Sequence, residues 1–291
     1  MKKVLILGAT GMLGSACMQV LCARSSLQVL GTARRLDPHD KFLEFDAAKD
    51  DINHVLEDFK PDWIINCIGI IKPHIDESKP DSIATAKSIN SEFPKLLAVA
   101  ALNIGSKVIQ IATDCVFSGD SGLYSEADSH DATDVYGRTK SDGEALGDNF
   151  MNIRCSIIGP EIGRSTSLLE WFRNQAQNAA LKGFTDHLWN GITTFHFARL
   201  CLGLVEADAF FPGVHHFIPA DIVSKARLLN IFAEYYNRTD ISIADIESPK
   251  SINRTLRTND KDLNKNLWKL AGYAKPPTIE EMIKEQALLG N

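Results

Sequence analysis

Val4-Leu5-Ile6-Leu7-Gly8-Ala9-Thr10-Gly11-Met12-Leu13-Gly14 is the stretch that decides the fold of this chain. Lys3 to Leu7 reads as a buried strand, and Met12 to Ala23 carries small and apolar residues at helical spacing. Gly8, Gly11 and Gly14 lie where the one turns into the other. Glycines there permit a tight turn and let the backbone approach a pyrophosphate, while the helix N-terminus offers unpaired N–H groups to the anion. With 19 glycines in 291 residues, chance supplies roughly 0.08 such triples anywhere in the chain. Thr10, Met12 and Leu13 share the segment and join the glycines as candidate cofactor contacts. A purely structural glycine turn is the bland alternative.

The alternation continues outward. Gln28 to Thr32, Phe42 to Phe45, Trp63 to Asn66, Lys107 to Ala112 and Asn152 to Ile158 read as strands. Asp51 to Phe59, capped by Asp50 or Asp51, Ser91 to Asn103 and Val135 to Gly147 read as helices. Strands recurring between such helices predict an α/β chain with a doubly wound parallel sheet covered on both faces. After Gly159 the rhythm changes. Leu168 to Leu181, His196 to Glu206, Ser224 to Tyr236, Asp260 to Ala271 and Ile279 to Leu288 are expected helices, with strands at Val214 to Ile218 and Ile241 to Ile246. With no repeat or low-complexity linker, the expected division is a dinucleotide-binding domain at 1–165, with return segments around 190–220. A smaller lobe at 166–291 packs directly on it.

Composition narrows the class. A net charge of −6, a pI near 5.8 and no densely basic segment leave nucleic acid without an electrostatic footprint. The 44% hydrophobic content excludes a disordered chain. The apolar runs are too short to span a bilayer, and the first one ends at Gly8, too early for a signal peptide. Six cysteines without a CxxC pair read as reduced core thiols of a cytoplasmic protein. His215-His216, Cys17 with Cys22, and His74 lack ligand spacing, so no metal is expected.

The end of the second strand discriminates between cofactors. An acidic residue there usually holds the ribose hydroxyls of NAD, but this chain reads Gly31-Thr32-Ala33-Arg34-Arg35 with no acid before Asp37. An arginine at this point pairs with the 2′-phosphate of NADP and stacks on adenine, which favours NADPH over NADH; two solvated arginines are the alternative. Asp46, with Ala47, follows the short third strand and is placed to contact adenine. Cys67, Ile68 and Gly69 end the fourth strand and pass beside the cofactor.

Tyr136 and Lys140 form YxxxK, and residues four apart share a helix face. A nearby Lys⁺ favours phenolate and lets the phenol act as a general acid near neutral pH. Alone the pair is weak evidence. Thr113 ends the Ile109-Gln110-Ile111-Ala112 strand 23 residues earlier, and strand ends of a doubly wound sheet face the ligand crevice. Thr113 is therefore placed to hydrogen-bond the carbonyl oxygen that Tyr136 protonates. A strand-end hydroxyl and a solvated helix lysine are the ordinary alternatives.

On the glycine loop at Gly8, Gly11 and Gly14, the Thr113-Asp-x-Val-Phe117 segment and Tyr136-Gly-Arg-Thr-Lys140, the sequence resembles the extended short-chain dehydrogenase/reductases. Within them it looks most like the dTDP-4-dehydrorhamnose reductase family. The resemblance extends more loosely over nearly the whole chain. It implies a Rossmann-type domain with a smaller C-terminal sugar-nucleotide-binding lobe, and Thr113, Tyr136 and Lys140 as catalytic triad. It further implies hydride transfer from NAD(P)H to a nucleoside-diphosphate-linked 4-keto-6-deoxyhexose, with Lys140 holding the nicotinamide ribose.

Asp114, Cys115, Trp189, Asn190 and Arg254 are the candidate substrate contacts, Arg254 for the pyrophosphate and Trp189 for a sugar or base. A lobe-core Trp189 and a surface Arg254 are the competing readings. Relatives commonly carry Tyr where this chain has Cys115. Acidic residues that hold an interface metal in some members are replaced by Ser15 and Ala16. The related 4,6-dehydratases place Asp-Glu after the hydroxyl residue, where this chain has Asp114-Cys115, so dehydration lacks its base. A 4-epimerase shares the triad and stays an alternative, as does a non-catalytic NADP-binding regulatory or sensor subunit. A homodimer is compatible with this reading.

Overall fold

The computed structural model describes residues 1–36, 41–145, 147–161 and 166–289; residue 165, the expected domain boundary, lies outside them. Its centre is a seven-stranded parallel sheet. In chain order its parts are β1 (Lys2–Leu7), α1 (Met12–Cys22), β2 (Leu27–Ala33), β3 (Leu43–Glu44), α2 (Ile52–Phe59) and β4 (Trp63–Asn66). There follow α3 (Pro80–Lys87), α4 (Phe93–Asn103), β5 (Lys107–Ala112), α5 (Val135–Asp142) and β6 (Phe150–Arg154). The smaller elements begin with β7 (Ile157–Ile158), α6 (Leu168–Arg173), β8 (Ala180–Phe184), β9 (His187–Trp189) and β10 (Ile192–Thr193). Then α7 (Thr194–Ala207) and β11 (Gly213–His216) return to the large sheet, where β11 pairs parallel with β6 and α7 lies along α1. The chain ends with β12 (Val223–Ser224), α8 (Lys225–Tyr235), β13 (Ser242–Ile246), β14 (Ile252–Asn253), α9 (Lys261–Leu270) and α10 (Ile279–Leu289).

The strand order β3-β2-β1-β4-β5-β6-β11 reverses direction between β1 and β4. This is the Rossmann-type doubly wound arrangement, and ligands sit at the carboxyl ends of the strands at that reversal. The near-continuous apolar runs of the central strands follow from burial on both faces. Val4 to Leu7 and Ile64 to Ile65 are 0% exposed, and each large side chain so buried contributes roughly 1.5–3 kcal/mol. No described helix is long and apolar enough to cross a membrane.

Three expected elements end early, each for a reason the tertiary structure supplies. The helix from Leu168 stops at Arg173, because the Arg238 guanidinium takes the carbonyls of Arg173, Gln175 and Ala176. Asn178 then turns left-handed at φ 59°, and Ala180–Phe184 runs as a strand beside β13. The helix from Val135 stops at Asp142. Gly143 packs so tightly on the Asn90 carbonyl that any Cβ would overlap it. The strand expected from Asn152 to Ile158 splits, its second half pairing with β10. The helix expected from Ser91 begins instead at Pro80, and α3 runs into α4 through a single π turn, Ser88–Glu92.

Candidate active site

The glycine loop forms a cradle that demands glycine at two of its three glycine positions. Gly8 has φ 78°, and a Cβ on Gly14 would fall on the Gly8 carbonyl. The loop is tied to β2 by the Ala9 N–H donating to the Thr32 carbonyl at 2.8 Å. Among the described residues no side chain caps α1 at Gly11, and its first turn holds no acidic residue. Its first N–H groups therefore face the crevice mouth, as an anion requires. Thr10 and Gly11 are exposed there, Met12 is half-buried and Leu13 is in the core.

Across the mouth, Arg34 and Arg35 are exposed just past β2. Asp46 spends its carboxylate locally, accepting from the Ala48 N–H at 3.1 Å and pairing with Lys49 at 3.4 Å. Ala47 packs half-buried on the core beneath. On the other side of β1, the Cys67 N–H donates to the Leu7 carbonyl at 3.0 Å and the Ile68 N–H to Asn66 Oδ1 at 3.1 Å. Cys67 and Ile68 are half-buried and Gly69 is exposed. These two turns flank the glycine loop where the sheet order reverses.

Thr113, Tyr136 and Lys140 converge at the end of β5. The Tyr136 phenol lies beside Thr113, whose hydroxyl draws it downward. Thr113 donates to Asp114 Oδ1 at 3.2 Å and accepts from the Cys115 N–H at 3.1 Å. Asp134 caps α5 by accepting from the Gly137 N–H at 2.8 Å, which fixes the helix start one residue before Tyr136 comes round. Lys140 donates to the Ile111 carbonyl at 3.0 Å, and burial pushes its ammonium down to about 8, against the pull of Glu144. The expectation that Lys140 draws the phenol downward is not what the geometry gives. Burial, reinforced by Cys115, Asp114 and Asp134, holds the Tyr136 phenol above its usual range, with only the Thr113 hydrogen bond opposing. A phenol so placed stays protonated at neutral pH, the state a proton donor needs.

Beyond the triad, Asp114 and Cys115 lie within the field of two cations. Burial pushes the Asp114 carboxyl up, opposed by Arg254 and Lys225. Burial pushes Cys115 up to about 12, reinforced by Asp114 and opposed by Arg254. Arg254 is held by its Nε donating to the Phe117 carbonyl at 2.9 Å. Lys225, absent from the sequence reading, is the first residue of α8, where the Ser224 hydroxyl caps the helix. It lies 5.8 Å from the Trp189 ring centre and lines a cavity of about 250 Å³ with Trp171, Lys182, Phe184 and His187. Only the Ser224-Lys225 pair at a helix start signalled it. Trp189 is buried with its indole N–H on the Ser156 hydroxyl at 2.9 Å. Asn190 spends its amide on the Leu256 backbone, donating at 2.7 Å and accepting at 2.9 Å. Those two side chains are braced inside the lobe rather than presented to the crevice. A larger cavity, about 370 Å³ between Glu126, His216 and α9, is lined by none of the triad.

Two groups beneath the site escaped the sequence reading. Asn90, in the π turn, bonds both polar atoms of Ile70 at 2.8 and 2.9 Å and reaches Thr139 of α5 at 3.2 Å. It thereby ties the 66–70 turn to the Tyr136 helix. Arg154, 1% exposed, binds Glu144 through Nε (3.0 Å) and Nη2 (2.6 Å). It also donates to His216 Nε2 and His130 Nε2, both at 2.8 Å. A guanidinium only donates, so both imidazoles accept at Nε2 and are neutral. Their Nδ1–H groups point to the Arg257 carbonyl and the Ser141 hydroxyl, both at 2.6 Å.

This arrangement makes stability acid-sensitive. Burial, then Arg154, holds His216 down at about 4 from the ordinary 6.5. Between those values the unfolded chain binds the proton and the folded one does not, so stability is complete above pH 6.5 and falls as pH drops below it. The effect is on the order of 3 kcal/mol. His216→Gln, whose side-chain carbonyl still accepts from Arg154, is expected to flatten the loss of Tm between pH 6.5 and 5. An unchanged slope would contradict the assignment.

Known proteins place these features in context. A family described as the RmlD substrate binding domain matches residues 1–288. The rat methionine adenosyltransferase 2 subunit beta is 35% identical over 271 residues, 86% of this chain and 79% of that one. A dTDP-4-dehydrorhamnose reductase of Aggregatibacter actinomycetemcomitans is 34% identical over 148 residues, 50% of this chain and 47% of that one. The Bacillus anthracis dTDP-4-dehydrorhamnose reductase in complex with NADP superposes with a TM-score of 0.78 at 19% identity, over 100% of both chains. The UDP-glucuronic acid 4-epimerase of Bacillus cereus in complex with NAD gives 0.74 at 16%, over 98% and 95%. At such identities the structural likeness is one of fold.

Proposed function

The chain belongs to the RmlD substrate binding domain family, and on that premise we propose that it is an NADPH-preferring reductase of a nucleoside-diphosphate-linked 4-keto-6-deoxyhexose. The observation that carries this reading is the convergence of Thr113, Tyr136 and Lys140 at the crevice, with the Asp114 carboxyl in the field of Arg254 and Lys225. A regulatory subunit has no use for a complete proton-transfer set beside a cation pair. NADPH, held by the glycine loop with Arg34 and Arg35, would supply hydride to the keto carbon. Tyr136 gives its phenolic proton to the carbonyl oxygen, the Thr113 hydroxyl donates a hydrogen bond to that oxygen, and the charged Lys140 holds the nicotinamide ribose. Arg254 and Lys225 take the substrate's phosphates, and the Trp171–Phe184 cavity receives its nucleoside.

On this reading residues 1–165, with the return around 190–220, carry the dinucleotide, and 166–291 mainly carry the sugar nucleotide. Deoxysugar supply for a cell-surface polysaccharide, in the cytoplasm and by a homodimer, completes the proposal; sedimentation tests the dimer. A panel of dTDP-, UDP- and GDP-linked 4-ketosugars, read by NADPH absorbance, tests the activity. Interconversion of 4-epimers with no net NADPH consumption would replace the reductase with an epimerase.

Arg34 and Arg35 carry the cofactor preference. Replacing both with Ala is expected to lower NADPH affinity about tenfold or more through loss of charge-assisted contacts, leaving NADH affinity unchanged. An equal fall for both cofactors would defeat the assignment.

The second reading is a regulatory subunit, favoured by the 35% identity to methionine adenosyltransferase 2 subunit beta over most of both chains. Tight NADPH binding without turnover on any ketosugar, together with co-purification of a methionine adenosyltransferase catalytic subunit, would establish it instead.

A further inference from the structure

Tyr124 spends its whole hydroxyl on one turn of the loop between β5 and α5. The oxygen accepts from the Gly119 N–H at 3.2 Å and from the Ser121 N–H at 3.0 Å. Its proton is left for the Ser118 hydroxyl at 3.4 Å, because that hydroxyl gives its own to Asp131 at 2.7 Å. The ring is buried and lies flat on Phe117, with centroids 4.2 Å apart and planes 4° from parallel. The loop is thereby folded back on itself from Phe117 to Tyr124.

The folded loop docks on the segment that carries Arg254. The Asn253 N–H donates to the Gly119 carbonyl at 2.7 Å, the Tyr124 N–H to the Thr255 carbonyl at 2.9 Å and the Arg257 N–H to the Tyr124 carbonyl at 2.8 Å. The Leu123 N–H donates to the Thr255 hydroxyl at 3.0 Å. The fit is close: Gly119 has φ 93°, and a Cβ there would stand 3.0 Å from Cγ of Arg254. Arg254 reaches this place from 137 positions away, and its Nε donates to the Phe117 carbonyl at 2.9 Å. Among the described residues no acceptor takes its two Nη groups, which leaves them for a ligand. Phe117 in turn closes the short turn Asp114–Val116 that Thr113 begins, its N–H on the Asp114 carbonyl at 3.1 Å. The guanidinium is thus fixed to the frame that holds Thr113.

We propose that Tyr124 is a positioning residue for the substrate's diphosphate: through Gly119 and Phe117 it fixes Arg254 relative to Thr113, and so sets the span a substrate must bridge between its phosphates and its carbonyl. A guanidinium binds phosphate through paired N–H groups in one plane, so its orientation counts as much as its charge. Without the Tyr124 hydroxyl, the Gly119 and Ser121 N–H groups lose their acceptor and the turn loosens. Arg254 then keeps its charge but not its aim. The part played by Arg254 rests on the nucleotide-sugar reading above; the contacts of Tyr124 do not.

The test titrates the full chain by calorimetry with dTDP and with UDP, and separately with NADPH. Tyr124→Phe keeps the ring on Phe117 and is expected to bind both diphosphates about tenfold more weakly, with NADPH affinity unchanged. Gly119→Ala, which presses on the Arg254 stem directly, is a second variant with the same expected loss. The sharpest readout is a double variant. Arg254→Ala weakens diphosphate binding by itself, and Tyr124→Phe added to it costs nothing more, because the group it positions is gone. Undiminished diphosphate binding in Tyr124→Phe, an equal fall for NADPH, or losses that add in the double variant would each overturn the proposal and leave the nucleotide-sugar reading standing. A wild-type chain that binds neither diphosphate would overturn both.

Discussion

Tyr136→Phe turns over about 10²–10⁴-fold more slowly than the wild type, the range for losing one placed proton donor, while NADPH still binds. The substitution removes one oxygen from a half-buried ring and leaves the α5 backbone, its Asp134 cap and Lys140 in place. Loss in kcat without loss of cofactor affinity is the signature of a contact used only in the transition state. Single-turnover NADPH oxidation with the accepted ketosugar measures it, and wild-type turnover would sink the assignment of Tyr136 as acid. The pH profile adds an independent check. Burial places Lys140 at about 8, so above that pH the ammonium that holds the ribose is lost and kcat/KM declines on its alkaline side. Below pH 8 the charge is present and the profile is flat until other groups titrate.

Gly14→Ala has the second large effect. Its new methyl group would occupy the position of the Gly8 carbonyl and crowd the Ala9 Cα, both backbone atoms that cannot swing aside. Either the loop opens or α1 shifts off the sheet, at about 3 kcal/mol or more. A loop that opens withdraws two or more N–H donors from the pyrophosphate, each worth about 1.5 kcal/mol toward a charged group, or roughly 100-fold in affinity together. Thermal denaturation and NADPH titration read the two costs separately. A variant with wild-type Tm and affinity would mean that the loop is neither tight nor the anion site.

What could be read from the sequence was local. The glycine spacing, the strand before it and the Tyr136–Lys140 pair each lie within a dozen residues, so periodicity and turn chemistry report them. Lys225 acts on the Asp114 carboxyl from 111 positions away, and Arg154 gathers Glu144, His130 and His216 from three segments. No window along the chain contains such encounters, and each residue alone looks like an ordinary surface charge. The misread helix after Leu168 has the same origin. Its helical pattern is real for one and a half turns, but the carbonyls that would continue it are claimed by Arg238, more than sixty residues away. Asn190 and Trp189 show the converse. Their polar atoms suit a ligand, yet the fold uses them on Leu256 and Ser156.

The π turn between α3 and α4 bears on how this gene can drift. A π turn is an α-helix with one residue inserted, and each residue rotates a helix by about 100°. Deleting one residue of Ser88–Glu92 would restore regular winding and leave the helix after it in nearly the same phase. Leu97 and Ala101, both 0% exposed, would keep facing the core, and Leu96, Val99 and Leu102 would stay outside. A codon lost here should thus be borne by the packing of α4 far better than one lost from its regular turns, where everything after the gap swings by about 100°; what it would disturb is the hold of Asn90 on Ile70 and Thr139.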